Sequence, residues 1–376
     1  MSKLEMTDSV IGFIGLGLIG GSIARRLKKV RPDLTIMAYM RTRSKLEQAK
    51  ADGVVDVILD GIGPELSRCD LIFLCTPVEY NAQYLSALRP YLKPGALITD
   101  VGSTKTSIHQ EIERQDLTDS FTGGHPMAGS EKTGYENSSD HLLENTYYIV
   151  TPPRDCRPDL PLAQQPENVR RIVAVAQALG AIPLILDYRE HDKIVAAISH
   201  LPHLIASSLV CLVKDNDSSG VMKQVAAGGF KDITRIASSS PEMWQQICMT
   251  NTGPIADILR QYIDSLSEIL KELENADSPA IYSLFDVSRS YRNSITDRAR
   301  GPIEPAYEFS VDVVDEIGAI STISVILAAK GISIKNIGIN NNREQGEGAL
   351  KIAFYDKASM DAAWERLSYY KYELFR

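Results

Sequence analysis

The sequence predicts an α/β chain in three parts: an alternating strand–helix domain over residues 1–187, a helices-only domain over 188–300, and a small βαββαβ unit over 305–376. Three observations carry that division. An apolar run, Val10–Ser22 (VIGFIGLGLIGGS), ends in Gly15-x-Gly17-x-x-Gly20 and leads straight into a helical segment, Ile23–Lys29. From about Tyr188 the apolar residues switch from strand-like clusters to helical spacing. Finally, Gly301-Pro302-Ile303-Glu304-Pro305 makes a stiff linker ahead of a last alternating stretch.

The glycine pattern is what a dinucleotide requires of a strand–turn–helix. Gly15 permits the tight turn, Gly17 lets backbone approach a pyrophosphate, and Gly20 lets the helix pack on the strand. The free N–H groups of the first helical turn face the phosphates, and Leu18 and Ile19 are expected among the cofactor-binding residues. A second apolar run, Leu34–Tyr39, completes the unit, so the first domain reads as Rossmann-type rather than as a plain glycine-rich turn. A helix at Ser44–Asp52, a buried strand at Asp70–Thr76 and a helix near Tyr80–Leu88 follow. Next come a strand at Ala96–Val101, a helix near Thr106–Gln115 and a strand around Phe121–Gly124. Tyr147–Val150 and Pro183–Leu186 read as strands flanking a helix at Glu167–Leu179, with Pro152–Pro166 as an exposed loop. Such alternation predicts a parallel sheet with ligands outside the carboxyl ends of its strands. Those ends carry Thr76 and Pro77, expected beside the cofactor, the run Asp100 to Lys105, and Gly123-Gly124-His125-Pro126.

The end of the second strand bears on cofactor choice. An NAD site expects Asp or Glu there, about 20 residues beyond the glycines, for the ribose 2′-hydroxyl. Met40 takes that place, and Arg41, Thr42 and Arg43 follow. The two arginines suit a 2′-phosphate, which favours NADP and leaves NAD possible; a solvated basic turn is the plainer alternative.

In the second part, apolar positions recur at helical spacing through Ile194–Val213 and Ile255–Leu273. Ser240-Pro241, Gly253-Pro254 and Ser278-Pro279 each pair a candidate N-cap with proline at the first helical position. So many apolar positions in helices predict burial against a second copy, hence a homodimer. In the third part, Tyr307–Val313 alternates as a strand and Ile317, Ile320, Ile323 and Leu327 form a helical stripe. Strands at Ile332–Asn340 and Ala349–Tyr355, a helix at Ala358–Leu367 and a strand at Tyr370–Phe375 complete a ferredoxin-like βαββαβ order.

Composition narrows the class. The 376 residues are 44% hydrophobic and 23% charged, and a formal charge of −8 argues against a nucleic-acid or anionic-membrane surface. No apolar stretch is read as approaching ~18–20 residues, and MSKLEMTDSV lacks the apolar core of a signal peptide. Cys69, Cys75, Cys156, Cys211 and Cys248 show no CxxC spacing, so neither disulfides nor zinc is suggested. A reduced, cytoplasmic enzyme without a metal is expected, acting on a small molecule, with no nucleic-acid or membrane partner and no extra domain ahead of Val10.

GLGLIGGS (Gly15–Ser22), GGHPMAGSE (Gly123–Glu131), and SHLPHLIA with GGFKDITRIA (Ser199–Ala206, Gly228–Ala237) together resemble the prephenate/arogenate dehydrogenases of tyrosine biosynthesis. The similarity spans roughly Val10–Ile295. The tail, with Asp315-Glu316-Ile317-Gly318-Ala319-Ile320, is similar to an ACT domain, an amino-acid-sensing module often attached to this family. The resemblance implies oxidative decarboxylation of a cyclohexadienol: hydride leaves the carbon bearing the hydroxyl, the ring carboxylate departs as CO₂, and aromatisation drives the step. It implies prephenate as substrate, with arogenate the alternative, and tyrosine as effector at Asp315 and Gly318.

His125 follows a strand end where substrate and nicotinamide meet, and imidazole suits proton transfer near neutrality. The family's catalytic histidine occupies this place; a buried histidine satisfied by backbone is the bland alternative. By resemblance, Ser103 shares the substrate-hydroxyl bond and Glu131 lies near the pocket, where otherwise they would be an N-cap and a solvated carboxylate. His200 and His203, three apart, share a helical face, but no third ligand supports a metal and Pro202 disturbs the helix. The resemblance places both in the substrate pocket, and core packing is the alternative. Lys231 and Arg235, four apart, suit a dicarboxylate, with Arg235 able to bind bidentately. Trp244 packs beside the pocket or in the core. Competing functions are a β-hydroxyacid dehydrogenase, which needs neither His125 nor an appended sensor, and a non-catalytic dinucleotide- or amino-acid-sensing protein.

Overall fold

A computed structural model describes residues 6–129, 132–154, 156–295, 307–313, 316, 318–339 and 350–375, and the chain divides into two units at Gly301. The first unit begins with β1 (Val10–Ile14), α1 (Leu18–Val30), β2 (Thr35–Tyr39), α2 (Arg43–Ala51), β3 (Val57–Ile58), β4 (Leu71–Leu74), α3 (Asn81–Leu88), β5 (Leu97–Asp100) and α4 (Thr106–Arg114). Its five strands pair in parallel in the order β3-β2-β1-β4-β5. Alternate residues of β1 face opposite cores: Ile11 and Phe13 join one, Ile14 the other. Phe13 stacks on Phe73 of β4 at 5.0 Å, tying the two central strands on one face.

The short β3 was not foreseen, because two paired residues leave no periodic signal. Beyond α4 the sheet departs further from a continuous parallel one. β6 (Gly123–Pro126) runs antiparallel to β7 (Tyr147–Thr151), which pairs in parallel with β8 (Ile182–Ile185) after α5 (Glu167–Ala178). Phe121 touches the first sheet through a single parallel bridge to Ile98, so the strand expected at Phe121–Gly124 starts two residues later. Close approach explains the glycine before His125. A Cβ on Gly124 would sit 2.6 Å from the Tyr148 hydroxyl and 2.7 Å from the Asp100 carbonyl oxygen.

From Tyr188 onward, the regular elements among the described residues of this unit are helical. They are α6 (Tyr188–Val195), a π-turn at Ala196–His200, α7 (Leu201–Asn216), α8 (Val221–Val225), α9 (Gly228–Thr234), α10 (Pro241–Thr250), α11 (Thr252–Glu274) and α12 (Ser278–Ser294). Ser240 caps α10 as its sequence suggests, accepting from the Met243 N–H. The other two caps differ. Asp277, not Ser278, accepts from the first turn of α12, a carboxylate being favoured against the positive end of the helix dipole. Gly253-Pro254 lies inside the first turn of α11.

One expectation is overturned by composition read together with helix length. Tyr188–Asn216 is a 29-residue helix apolar enough to cross a membrane by length and hydropathy alone. In the fold its first turns serve the interior of the unit: His191, Asp192 and His200 are buried on it and bonded to other elements. The π-turn falls just before Pro202, whose missing N–H cannot continue the regular ladder.

The second unit contains β9 (Tyr307–Val311), α13 (Ala319–Ala328), β10 (Ile334–Ile339), β11 (Leu350–Phe354), α14 (Lys357–Tyr369) and β12 (Leu374–Phe375). Its antiparallel sheet has the order β10-β11-β9-β12, which is the split βαββαβ arrangement. Ile323 and Leu327 of α13, with Ala363 and Leu367 of α14, cover Phe309, Ile352 and Phe354 on one face of that sheet.

Candidate active site

At the carboxyl end of β1 each glycine meets a distinct constraint. Gly15 has φ +90°, and a Cβ there would lie 2.6 Å from the Cys75 carbonyl oxygen. A Cβ on Gly20 would lie 2.8 Å from the Gly15 carbonyl oxygen and 3.0 Å from the Cys75 side chain. A Cβ on Gly17 would project into open space, and Gly17 begins α1 with no side-chain cap and no acid in the first turn. The N–H groups at Leu18 and Ile19 therefore open onto a surface kept clear for an anion, and the residues present fit a dinucleotide pyrophosphate. Thr76 and Pro77 follow β4 alongside, with the Thr76 hydroxyl 3.3 Å from the Asn81 amide oxygen.

Past β2, Arg41 and Arg43 are both exposed but differently engaged. Arg41 lies over the Tyr80 ring at 5.4 Å. Arg43 bonds Asp60 and reaches Glu47 at 3.4 Å, and Asp60 chiefly raises its basicity. Met40 packs against the core, so no acid stands at the strand end.

The end of β5 is built around a buried ion pair. Asp100 accepts from the N–H groups of Gly102 and Gly124 and from the ammonium of Lys105, which also donates to the Gly124 carbonyl at 2.7 Å. Burial lowers the affinity of Lys105 for its proton, and the Asp100 carboxylate opposes that. This pair fixes both faces of Gly124 and so the start of His125.

His125 is half-buried, and its Nδ1 lies 2.8 Å from Nε2 of His191. His191 Nδ1 lies 2.8 Å from Oδ1 of Asp192, and both rings of this chain sit on neighbouring elements, β6 and α6. The Asp192 oxygens accept from the backbone N–H groups of Lys105 at 2.8 Å and Thr106 at 2.7 Å. Asp192 thus occupies the N-terminus of α4, the place where Ser103 was the bland candidate for a cap. Ser103 is half-buried in the loop between β5 and α4 and forms no hydrogen bond with His125 among the described residues. Burial first, then His191, Lys105 and His200, hold the His125 imidazole well below its ordinary range.

His200 is buried at the end of the π-turn, its Nδ1 3.1 Å from the Asn251 amide nitrogen. Burial pushes it down to about 4. His203 donates from Nδ1 to the Ser199 carbonyl at 2.9 Å and stacks on Trp244 at 3.6 Å, while His200 meets the same indole edge-on at 5.9 Å. Trp244 therefore joins the two histidines, and its buried indole N–H has no hydrogen-bond partner among the described residues. The four-residue spacing of Lys231 and Arg235 does not stack them on one α-helical face. α9 stops at Thr234, whose hydroxyl bonds the Phe230 carbonyl, and Arg235 opens a 3₁₀ turn. Both are exposed; burial chiefly lowers the basicity of His203 and Arg235 adds to it, but no described contact ties Lys231 to these rings.

Glu131 and Asp315 lie outside the described residues. Gly318 has φ +94° at the start of α13, with no side-chain cap. His191, Asp192 and Asn251 escaped the sequence reading, which placed the Asp100–Lys105 run at a strand end without its ion pair. For His191 and Asp192 a signal existed: Tyr188, His191, Asp192 and Val195 fall at i, i+3, i+4 and i+7, and all four are buried.

Comparison with known proteins agrees with these features. A family model described as "Prephenate dehydrogenase, nucleotide-binding domain" matches residues 23–175, and one described as "Prephenate dehydrogenase, dimerization domain" matches 187–287. A prephenate dehydrogenase of Bacillus subtilis is 36% identical over 354 residues, 93% of each chain. Among solved structures, the Synechocystis arogenate dehydrogenase is 30% identical with a TM-score of 0.66, covering 76% of this chain and 99% of that one. The prephenate dehydrogenase from A. aeolicus in complex with hydroxyphenyl propionate and NAD+ is 27% identical with a TM-score of 0.68, covering 78% and 99%.

Proposed function

The chain belongs to the prephenate dehydrogenase family, and from that membership and the site we propose that it converts prephenate to 4-hydroxyphenylpyruvate and CO₂ with reduction of a nicotinamide dinucleotide. The observation that carries this reading is His125: an imidazole of β6 kept neutral, with its Nδ1 2.8 Å from His191 Nε2. A bound nicotinamide supplies the hydride acceptor. His125 takes the proton of the ring hydroxyl, and Ser103 shares that hydrogen bond. His200, His203 and Trp244 line the substrate side, Arg235 holds a carboxylate by a charge-assisted pair, and Lys231 and Glu131 complete the polar rim. Loss of the ring carboxylate then yields the aromatic product.

Three finer readings belong with this one. Met40 and the exposed Arg41 favour NADP, whereas Arg43 must first give up Asp60 and Glu47 to meet a 2′-phosphate. Residues 1–187 hold the dinucleotide, 188–300 hold substrate and pair with a second copy, and the protein works in the cytoplasm. Residues 305–376 act as an ACT-like domain through which tyrosine inhibits, with Gly318 and Asp315 at the ligand; the uncapped, left-handed start of α13 supports this. The test is turnover of purified protein with prephenate or arogenate, each with NADP or NAD, followed by reduced-nicotinamide absorbance. The highest kcat/KM is expected with prephenate and NADP. Turnover of arogenate alone would reassign the substrate, and turnover of neither would overturn the reading.

A further inference from the structure

We infer that His191 and Asp192 are positioning residues that fix the tautomer of His125, leaving its Nε2 as the nitrogen that accepts the substrate proton. The inference rests on the reading of His125 as the base. It begins at the far end of the chain of contacts. Burial works against ionisation of Asp192, but bonds from His191, Thr106 and Lys105 outweigh it and hold the carboxyl below its ordinary range. An ionised carboxylate only accepts, so the 2.8 Å contact with His191 Nδ1 is donated by His191. Burial, with Lys105 nearby, keeps His191 neutral despite the opposing pull of Asp192, so its Nε2 carries a lone pair. The 2.8 Å contact between His191 Nε2 and His125 Nδ1 is then donated by His125. Only Nε2 of His125 remains to take a proton.

The same arrangement serves the charged state. After Nε2 is protonated, Nδ1–H still donates to His191, and the new positive charge is met through one ring by the Asp192 carboxylate. The titratable and charged groups facing the two rings are Lys105 just before α4, which disfavours protonation, Asp192 of α6, which favours it, Asp100 from β5, which is paired with Lys105, and His200 from the π-turn. Without His191, His125 has no acceptor at Nδ1 and loses the tautomer that makes it a base.

The test uses the full chain with two replacements. His191→Phe keeps the ring's shape and removes the acceptor, whereas His191→Gln restores a polar atom that can accept from His125. We expect His191→Phe to lower kcat about 100-fold, with KM for substrate and cofactor within about twofold, and His191→Gln to recover about 10-fold. Nitrogen NMR of the wild-type protein with ¹⁵N-labelled histidine should show His125 protonated at Nδ1. A folded His191→Phe protein with kcat within about threefold of wild type would overturn the inference, as would a wild-type His125 protonated at Nε2. Equal losses in both variants with raised KM values would make His191 a packing residue and also overturn it. Undiminished kcat in His125→Ala would instead remove the base reading, while the NMR signal still judges the tautomer.

Discussion

The two parts of the first unit treat the same kind of side chain in opposite ways. Phe13, Phe73, Ile98 and Phe121 of the strand–helix part are fully sealed, while Leu212, Met249, Leu270, Phe285 and Tyr291 of the helical part are 55–71% exposed. A parallel sheet flanked by helices completes its own core within one chain. Helices that leave such residues open do not, and each large side chain they later cover is worth about 1.5–3 kcal/mol. The difference teaches that the unit joins a half that completes its own core to a half that leaves large apolar side chains open, which is the surface the proposed second copy would cover.

The comparison sharpens most at His125, which belongs to the sealed part. His125→Ala should lower kcat by ~10²–10⁴ while cofactor affinity and assembly stay unchanged; steady-state kinetics with cofactor titration decide it, and a wild-type kcat excludes the residue from the mechanism. Next in size, Asp100→Asn strands a buried ammonium and should cost about 3–5 kcal/mol in urea unfolding. In the open part, Phe285→Glu should leave the fold of one chain almost untouched yet dissociate the assembly in sedimentation experiments. A monomeric wild type, or a Phe285→Glu protein still paired, would break the contrast.

Acid should weaken the sealed interior in a defined window. His109 is held down to about 3 and His200 to about 4, both chiefly by burial, from an ordinary 6.5. The unfolded chain takes up these protons as pH falls through 6.5 and the folded chain does not. Stability is therefore complete above pH 6.5 and declines toward pH 4, by up to about 1.4 kcal/mol per pH unit for each histidine. Flat urea midpoints across that range would contradict it. The smallest effect expected is at the surface: Arg41→Ala should weaken NADP by about 1 kcal/mol and leave NAD nearly unchanged, judged by the two dissociation constants.

What could be read in the sequence was what is local. Gly15, Gly17 and Gly20 act within one strand–turn–helix, so their spacing exposes them; His125 was expected just past a strand and instead lies within one, β6. The chain His125–His191–Asp192 joins residues 66 apart and then adjacent, and Tyr188-Arg189-Glu190-His191-Asp192 looks like a charged first turn. The run Asp100 to Lys105 was legible as a polar strand end, but not its buried ion pair, because a lysine at a loop end reads as solvated until the fold closes over it. The strand at Gly123–Pro126 was misplaced because its partner, Tyr147–Thr151, lies beyond a long irregular stretch.

Asp192 spends both oxygens on the start of α4, and by doing so it rivets the helical half of the unit to the sheet at the one place where the rings of His125 and His191 meet. Rocking there would sever two charge-assisted bonds of about 1.5–3 kcal/mol each before anything else moved. The same two bonds that hold the start of α4 therefore also hold the seam on which the two imidazoles sit.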